Sequence, residues 1–203
     1  MFYDQKPVQM QGQWEVSEDV VQRRVDRNLE TALTFESQMF AEHSRQLILV
    51  LTLNYQPEYR HLINAETIAR DRDHFFNNAR RNPLLQRING IQWKIEEGGK
   101  AGLHMHFLIY YDGASRQDIS IAESIGEYWV KVVTQGRGDF NNSNRYKERH
   151  RTLGYGDATG QIDRSDFDKR AILKDVIAYH TKGGQQVSSR INPHQQMFGV
   201  RRI

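Results

Sequence analysis

The sequence predicts one α+β domain in which helices pack on a mainly antiparallel sheet. Its 203 residues are enough for a single well-buried core. Apolar and polar residues alternate in two neighbouring segments separated by a glycine-containing turn, which predicts a β-hairpin. Segments with helical periodicity stand before, between and after the strands. The predicted order from the first strand is therefore strand, helix, strand, strand, helix, short strand, helix.

Residues 1–45 are predicted to form an N-terminal arm and helix ahead of the main domain, which spans residues 46–203. Residues 1–13 are polar and lack any periodicity. Ser17 is the expected N-cap of a helix that runs to about His43 with a loose apolar stripe. The domain boundary is therefore placed between this helix and the first strand.

The main domain begins with QLILVLTLNY, an apolar run at residues 46–55 that predicts a buried strand. Asn64 is the expected N-cap of a helix that ends before Asn82 and Pro83. The hairpin then follows as IQWKIEE, a turn at GGKA, and GLHMHFLIYYD. This hairpin contains the first candidate functional residues.

Two more helices are expected in the second half of the chain. The first is RQDISIAESIGEYWVKVVT. The second is SDFDKRAILKDVIAYHTK, with an N-cap at Ser165 or Asp166 and a stop at Gly183 and Gly184. Residues 135–163 between them are rich in Gly, Asn and Arg and are predicted to be loops with short strands.

The composition excludes several classes of protein. The chain has no cysteine, so it holds neither disulfides nor thiolate zinc sites. It shows no N-terminal signal pattern and no apolar run long enough to span a bilayer, so we expect a cytoplasmic protein without membrane contact. The net charge is only +3, but the segment Glu15–Glu42 is acidic and the segment Arg137–Arg151 is basic. This segregation fits a face that binds a polyanion.

His104 and His106 lie one residue apart in the second strand of the hairpin. Residues i and i+2 of a strand share a face, so both imidazoles point the same way and need partners or a metal. Matching the apolar residues of the two strands places Lys94 and Glu96 on that face and Glu97 on the other. Two imidazoles and one carboxylate are a plausible site for a divalent cation, Mn²⁺ or Mg²⁺. The alternative is a surface strand with hydrogen-bonded histidines.

Three blocks of the sequence resemble a known family: WKIEEGGKAGLHMHFLIYYD, IAESIGEYWVKVVTQGRGDFNNSN and GYGDATGQID. They are similar to the filamentous-phage replication-protein family found in prophages, of the YagK/YfjJ C-terminal domain type. The wider order of strand, helix, histidine-bearing hairpin and a later helix with Tyr-x-x-Lys resembles the HUH endonuclease superfamily. The likeness runs from about Leu47 to Arg202.

This resemblance implies a fold, a metal site and an activity. The fold would be a ferredoxin-like palm, and His104, His106 and Glu96 would bind the metal. A tyrosine would cut single-stranded DNA at an origin or hairpin and stay joined to the 5′ phosphate, so that the freed 3′ hydroxyl primes rolling-circle replication of a phage or prophage. The expected partners are single-stranded DNA and the helicase and polymerase of a bacterial host.

Two Tyr-x-x-Lys sequences could supply the nucleophile. Tyr179 and Lys182 lie near the end of the last predicted helix, whereas Tyr128 and Lys131 belong to the middle helix, where Tyr128 continues an apolar stripe. The family pattern places the nucleophile on the last helix and therefore favours Tyr179. Lys182 would then steady the phosphate or the phenolate, although a cation is also ordinary at a helix C-terminus.

The segment GRGDFNNSNRYKERHR combines basic, aromatic and amide side chains, as surfaces that bind single strands do. We expect its basic residues to contact phosphates and its tyrosine to stack on a base. The predicted DNA-binding residues are Arg137, Arg145, Tyr146, Lys147, Arg149 and Arg151.

The leading hypothesis is therefore a metal-dependent nickase and ligase that acts through a 5′-phosphotyrosine. One alternative is a non-catalytic DNA-binding protein on the same scaffold, such as a domesticated prophage protein. Another is a metal-dependent phosphodiesterase that uses water as its nucleophile. A relaxase or transposase of the same superfamily would use the tyrosine chemistry in a different biological context.

Overall fold

The computed structural model describes residues 18–152, 157–182, 187 and 195–203, without the side chains of His150 and Arg151. Residues 1–13, Ser17, and Gly183 with Gly184 therefore lie outside the described residues, and so do the predictions made for them. The helices are α1 (Glu18–Glu42), α2 (Ala65–Ala79), α3 (Asp118–Tyr128), α4 (Lys147–Thr152) and α5 (Phe167–Thr181). The strands are β1 (Arg45–Tyr55), β2 (Ile88–Gly98), β3 (Gly102–Asp112), β4 (Gly138–Asn142), β5 (Gly160–Asp163) and β6 (Phe198–Arg202).

The six strands form one sheet in which every pairing is antiparallel. The order across the sheet is β4-β1-β3-β2-β6, and β5 also pairs with β1. The succession β1-α2-β2-β3-α3-β4 gives the ferredoxin-type arrangement of a palm, with β1 and β3 at its centre. The predicted α+β fold with a mainly antiparallel sheet is confirmed.

Helices cover both faces of the sheet, and β3 shows how the faces are divided. Met105 and Phe107 point toward α2 and α3, whereas Leu108 and Tyr110 point toward α1 and α5. Each face has its own buried core, so the molecule has three layers with the sheet in the middle. We refer to these surfaces as the α2/α3 face and the α1/α5 face.

Helix α1 packs on the sheet and shares the core of the α1/α5 face. Gly90 lets it approach closely, since a Cβ at that position would lie 2.5 Å from Cζ of Phe35 and 2.8 Å from Sδ of Met39. Glu36, which is fully buried, forms an ion pair of 2.8 Å with Arg170 of α5. The boundary predicted after residue 45 falls one residue into β1, and α1, which precedes it, packs on the sheet to which β1 belongs.

Several helix ends follow the sequence signals, and two elements differ from them. The side chain of Asn64 caps α2 by accepting from the backbone of Thr67, and Asp166 caps α5 in the same way. Helix α3 ends earlier than predicted because the chain continues into a π-helical turn at Trp129–Val133. Strand β6 was not predicted, since five residues at a sheet edge are too few to show a clear alternation.

The edge of β1 that faces away from β3 pairs with two short strands, and a side chain lies between them. β4 pairs with residues 51–55 and β5 with residues 45–48. In the interval, Oδ1 of the buried Asn144 accepts from the backbone N–H of Val50 at 2.9 Å, and its Nδ2 donates to the carbonyl of Ile48 at 3.0 Å. The amide of Asn144 therefore replaces a strand where neither neighbour reaches.

No helix in the described part of the chain is both long and apolar enough to cross a membrane.

Candidate metal centre

The β2–β3 hairpin has the register that the sequence predicts. Glu96 pairs with His104, and Lys94 pairs with His106. Glu97 is opposite Leu103 and therefore points to the α2/α3 face. Because side chains alternate along each strand, Lys94, Glu96 and the two histidines all share the α1/α5 face. The turn at residues 99–101 fixes this pairing.

The two imidazoles and the carboxylate converge on one point. One ligand atom from each of Glu96, His104 and His106 lies within 4.8 Å of the others. Oε2 of Glu96 is 3.2 Å from Nε2 of His106 and 3.9 Å from Nε2 of His104. The imidazole rings meet edge to face with centroids 4.9 Å apart. Two Nε2 atoms and one carboxylate oxygen thus face a common position.

The other nitrogen of each histidine has a partner of its own. Nδ1 of His104 lies 3.0 Å from the carbonyl of Gly102, which requires an N–H at Nδ1 and leaves the lone pair on Nε2. Nδ1 of His106 lies 3.2 Å from the hydroxyl of Thr52, which can donate or accept. Such partners are typical of metal-binding histidines because they fix the ring and its tautomer.

The electrostatics of Glu96 and His104 favour the protonation states that bind a cation. Burial alone would raise the pKa of Glu96, but hydrogen bonds from His106 and Lys94 lower it to about 2. Burial lowers the pKa of His104 below its ordinary value. An ionised carboxylate and a neutral imidazole are the forms that ligate metals. The residues present therefore fit a divalent cation held by two nitrogens and one oxygen, with further positions open to substrate.

The C-terminal end of α5 lies against this cluster. The half-buried His180 stacks on His106, with ring centroids 5.5 Å apart and planes at 30°. Burial, followed by the neighbouring His106, lowers the pKa of His180 to about 4. Nζ of Lys94 forms an ion pair with Glu96 and also donates to the carbonyl of Lys182 at 2.6 Å. The sequence interpretation gave neither His180 nor Lys94 a role, and the only signal for His180 was its place inside YHTK.

The end of α5 carries Tyr179 and Lys182 to the edge of the Glu96, His104 and His106 cluster. The Tyr179 side chain is 70% exposed, and its ring centroid is 6.1 Å from that of His180. Nζ of Lys182 lies 5.7 Å from the centre of the Tyr179 ring. The contact between Tyr179 and the candidate ligands therefore runs through the His180 ring, and the phenol itself stands in solvent.

Tyr128, the alternative nucleophile, faces the other side of the sheet. Its ring packs edge to face on Phe75 of α2 with centroids 6.1 Å apart, and it is partly buried against the core of the α2/α3 face. Lys131 forms an ion pair of 2.5 Å with Glu127 one helical turn away. Packing accounts for this second Tyr-x-x-Lys sequence.

Three of the predicted DNA-binding residues pair with acidic side chains of helices α2 and α3. The pairs are Arg145 with Glu123 at 2.8 Å, Lys147 with Asp118 at 3.3 Å, and Arg137 with Asp71 at 3.7 Å. Because α2 and α3 cover the face opposite the histidines, these pairs direct the basic groups away from the candidate metal centre. The structure does not bring them together with it.

The other three predicted DNA-binding residues stand in the same loop and short helix. The side chain of Tyr146 is 47% exposed, and Arg149 is also exposed. The side chain of Arg151 lies outside the described residues. Tyr146 and Arg149 are therefore accessible to a nucleic acid.

Comparison with known proteins does not extend this picture. No protein-family model, no curated protein and no solved structure matches the chain. The resemblance to HUH endonucleases therefore stays a prediction from the sequence blocks.

Proposed function

We propose that the chain is a divalent-metal-dependent endonuclease that nicks and rejoins single-stranded DNA through Tyr179. The observation that carries this proposal is the docking of the Tyr179-bearing end of α5 on the Glu96, His104 and His106 cluster. A metal site alone would fit many functions. A tyrosine and a lysine at its edge, on a helix end held by a stacked histidine, favour covalent strand cleavage.

A divalent cation bound by the three ligands would polarise the scissile phosphate and balance the charge that develops during transfer. Glu96 contributes an ionised oxygen, and His104 contributes a lone pair whose direction is fixed through Gly102. The two histidines belong to one strand of the central sheet, so their relative position is set before substrate arrives. This preorganisation is what phosphoryl transfer requires of a protein.

Tyr179 would act as the nucleophile. Its phenolic oxygen forms a bond to phosphorus while the bond from phosphorus to the 3′ oxygen breaks. The phenolic proton is released to solvent or a nearby base, and the departing 3′ oxygen takes up a proton to become a hydroxyl. The reverse reaction rejoins the strand, because the phosphotyrosine conserves the energy of the phosphodiester. Lys182 lies close enough to the phenol ring to stabilise negative charge on the phenolate or the phosphate.

One observation favours a second candidate function. The phenol of Tyr179 is exposed, and among the described residues the His180 ring lies between it and the candidate ligands. If the ring does not swing toward the bound phosphate, water takes its place as the nucleophile. The protein would then be a metal-dependent phosphodiesterase that leaves no covalent adduct.

Both functions are tested by one assay on labelled DNA. Purified protein is incubated with Mn²⁺ or Mg²⁺ and a pool of labelled single strands that contain hairpins of random sequence, then resolved on a denaturing protein gel. The proposal expects a labelled adduct that is lost in Tyr179→Phe and retained in the matched control Tyr128→Phe. Cleavage without any adduct would instead support water as the nucleophile. Binding without cleavage under either metal would leave a non-catalytic DNA-binding protein and would refute both enzymatic functions.

A further inference from the structure

We infer that Lys94 is a positioning residue that fixes the nucleophile-bearing end of α5 relative to the metal ligands, an inference that rests on the proposed function. Lys94 lies on β2 directly opposite His106, and its side chain is only 13% exposed. A nearly buried ammonium is costly unless its donors are paired. Its observed partners belong to two different parts of the candidate site.

The first partner is the carboxylate of Glu96, whose two oxygens have different neighbours. Oε1 forms the ion pair with Lys94, whereas Oε2 faces the Nε2 atoms of His104 and His106. Lys94 therefore holds the carboxylate by one oxygen and turns the other toward the position between the imidazoles. The ammonium and a bound cation can share Glu96 because they use different oxygens.

The second partner is the carbonyl of Lys182, immediately after the last turn of α5. Carbonyls at a helix C-terminus lack partners within the helix and attract cations. A hydrogen bond from a charged donor is stronger than a neutral one, so this 2.6 Å contact ties the helix end firmly to β2. The stacking of His180 on His106 also joins this turn to the cluster.

One ammonium thus connects a metal ligand to the segment that carries Tyr179. Without Lys94, α5 keeps its apolar anchors Leu173 and Ile177 in the core, because these lie earlier in the helix. The last turn, however, loses its charged attachment. We therefore expect a folded protein in which the metal site persists but Tyr179 is less well placed.

The test compares Lys94→Met and Lys94→Arg with the control Lys100→Met, which alters an exposed lysine at the tip of the same hairpin. Three quantities are measured: amide hydrogen exchange in residues 178–182, Mn²⁺ affinity, and the rate of adduct formation at saturating Mn²⁺. In Lys94→Met we expect exchange about tenfold faster and adduct formation about tenfold slower, as for the loss of one charge-assisted hydrogen bond. Mn²⁺ affinity should fall by about tenfold, as for the loss of an outer partner of a ligand, and saturating Mn²⁺ removes this effect from the measured adduct rate. Lys94→Arg, which can pair with both partners, and Lys100→Met should both behave like the wild type.

Two results would overturn the inference. One is unchanged exchange and adduct formation in Lys94→Met. The other is a combined loss of Mn²⁺ binding and of protection throughout β2 and β3, which would give Lys94 a purely structural role. If the wild-type protein forms no adduct, the proposed function fails, and the exchange measurement alone decides whether Lys94 anchors α5.

Discussion

His104 and His106 share a strand face but are held in different ways. His104 is buried and bonded to the carbonyl of Gly102, whereas His106 contacts a hydroxyl on one side and the ring of His180 on the other. Each ring is oriented through Nδ1 and turns Nε2 toward the shared position, where Nε2 of His106 lies 3.2 Å from Oε2 of Glu96. The two side chains are therefore arranged as a chelating pair would be.

Replacing His106 with Ala should weaken Mn²⁺ binding by more than about tenfold. The loss of even an outer partner of a metal ligand lowers metal affinity by about tenfold, and His106 is itself a candidate ligand. Isothermal titration calorimetry measures the change. The control is His74→Ala, which alters a half-buried histidine on α2, on the other face of the sheet. Equal Mn²⁺ affinity for His106→Ala and wild type would remove His106 from the site.

His180 and Glu96 make the fold less stable in acid over different pH ranges. Burial and the neighbouring His106 lower the pKa of His180 from 6.5 to about 4. Between these values the unfolded chain binds a proton that the folded chain does not, so stability falls as the pH decreases.

The pKa of Glu96 is lowered from 4.5 to about 2, because hydrogen bonds from His106 and Lys94 outweigh burial, which would raise it. Its contribution is complete above pH 4.5 and is lost as the pH falls to about 2.

We therefore expect the free energy of unfolding, measured by urea denaturation in the presence of a chelator, to decrease between pH 6.5 and pH 4. His180→Gln removes one of the titrating groups and should make this decrease smaller. The exposed His61, changed to Gln, serves as the control and should leave the pH dependence as it is. A decrease in His180→Gln as large as in the wild type would contradict the assigned protonation of His180.

At the scale of elements, the hairpin was predictable because its register depends on local information. Alternation in β2 and β3 has a period of two, and a slip by one residue would expose the whole apolar set. That constraint selected Glu96 over Glu97 without any knowledge of the rest of the chain. The caps of α2 and α5 were equally local, since Asn64 and Asp166 bond within one turn of their own helix.

The remainder of the site depends on contacts between distant segments. His180 meets His106 only because α5 packs on the α1/α5 face with a particular axial position. The contact from Lys94 to the carbonyl of Lys182 likewise joins a strand to a helix 88 residues later. Periodicity within one element indicates which face is buried but not how far along the sheet a helix lies. These residues could not be assigned from the sequence for that reason.

Helix α1 should unfold together with the sheet, because its side chains occupy the space over Gly90. Gly90→Ala places a Cβ 2.5 Å from the Phe35 ring and should lower the free energy of unfolding by about 1–3 kcal/mol. Gly99→Ala, in the turn of the hairpin, is the control, since a Cβ there meets nothing within 4 Å. Urea denaturation followed by circular dichroism measures both. A neutral Gly90→Ala would mean that α1 is only loosely attached to the sheet.

Considered as a whole, the molecule has two chemically different sides. The α1/α5 face carries the candidate ligands, Tyr179 and Lys182, whereas several basic residues of the predicted DNA-binding segment are paired on the α2/α3 side. The charge distribution along the sequence predicted a polyanion-binding face at the basic segment Arg137–Arg151. In the fold, Glu123 and Asp118 neutralise part of that charge. Under the proposed function, we therefore expect a DNA strand to bind on the side of the candidate metal ligands.

The salt dependence of DNA binding distinguishes the two sides. Lys182→Met should reduce the slope of log affinity against log salt for single-stranded DNA by about 0.7, the value for one lost phosphate contact. Arg145→Met should change the slope much less, because the guanidinium pairs with Glu123 at 2.8 Å. Fluorescence anisotropy at several salt concentrations measures both slopes. A larger effect for Arg145→Met would place the strand on the α3 side.

In many small metalloproteins folding and metal binding occur together, but the position of the candidate ligands within this sheet separates the two. Glu96, His104 and His106 occupy the middle layer of a three-layer fold, on paired strands with a buried core on either face. Apolar packing, rather than ion binding, therefore brings the ligands together, in contrast to zinc fingers that fold only when loaded. The candidate site is thus formed by folding itself, and a cation that binds there would be taken up, exchanged or withdrawn while the polypeptide stays folded. For a site of this kind, the cellular supply of the competing ions, rather than the folding pathway, would determine which ion is bound.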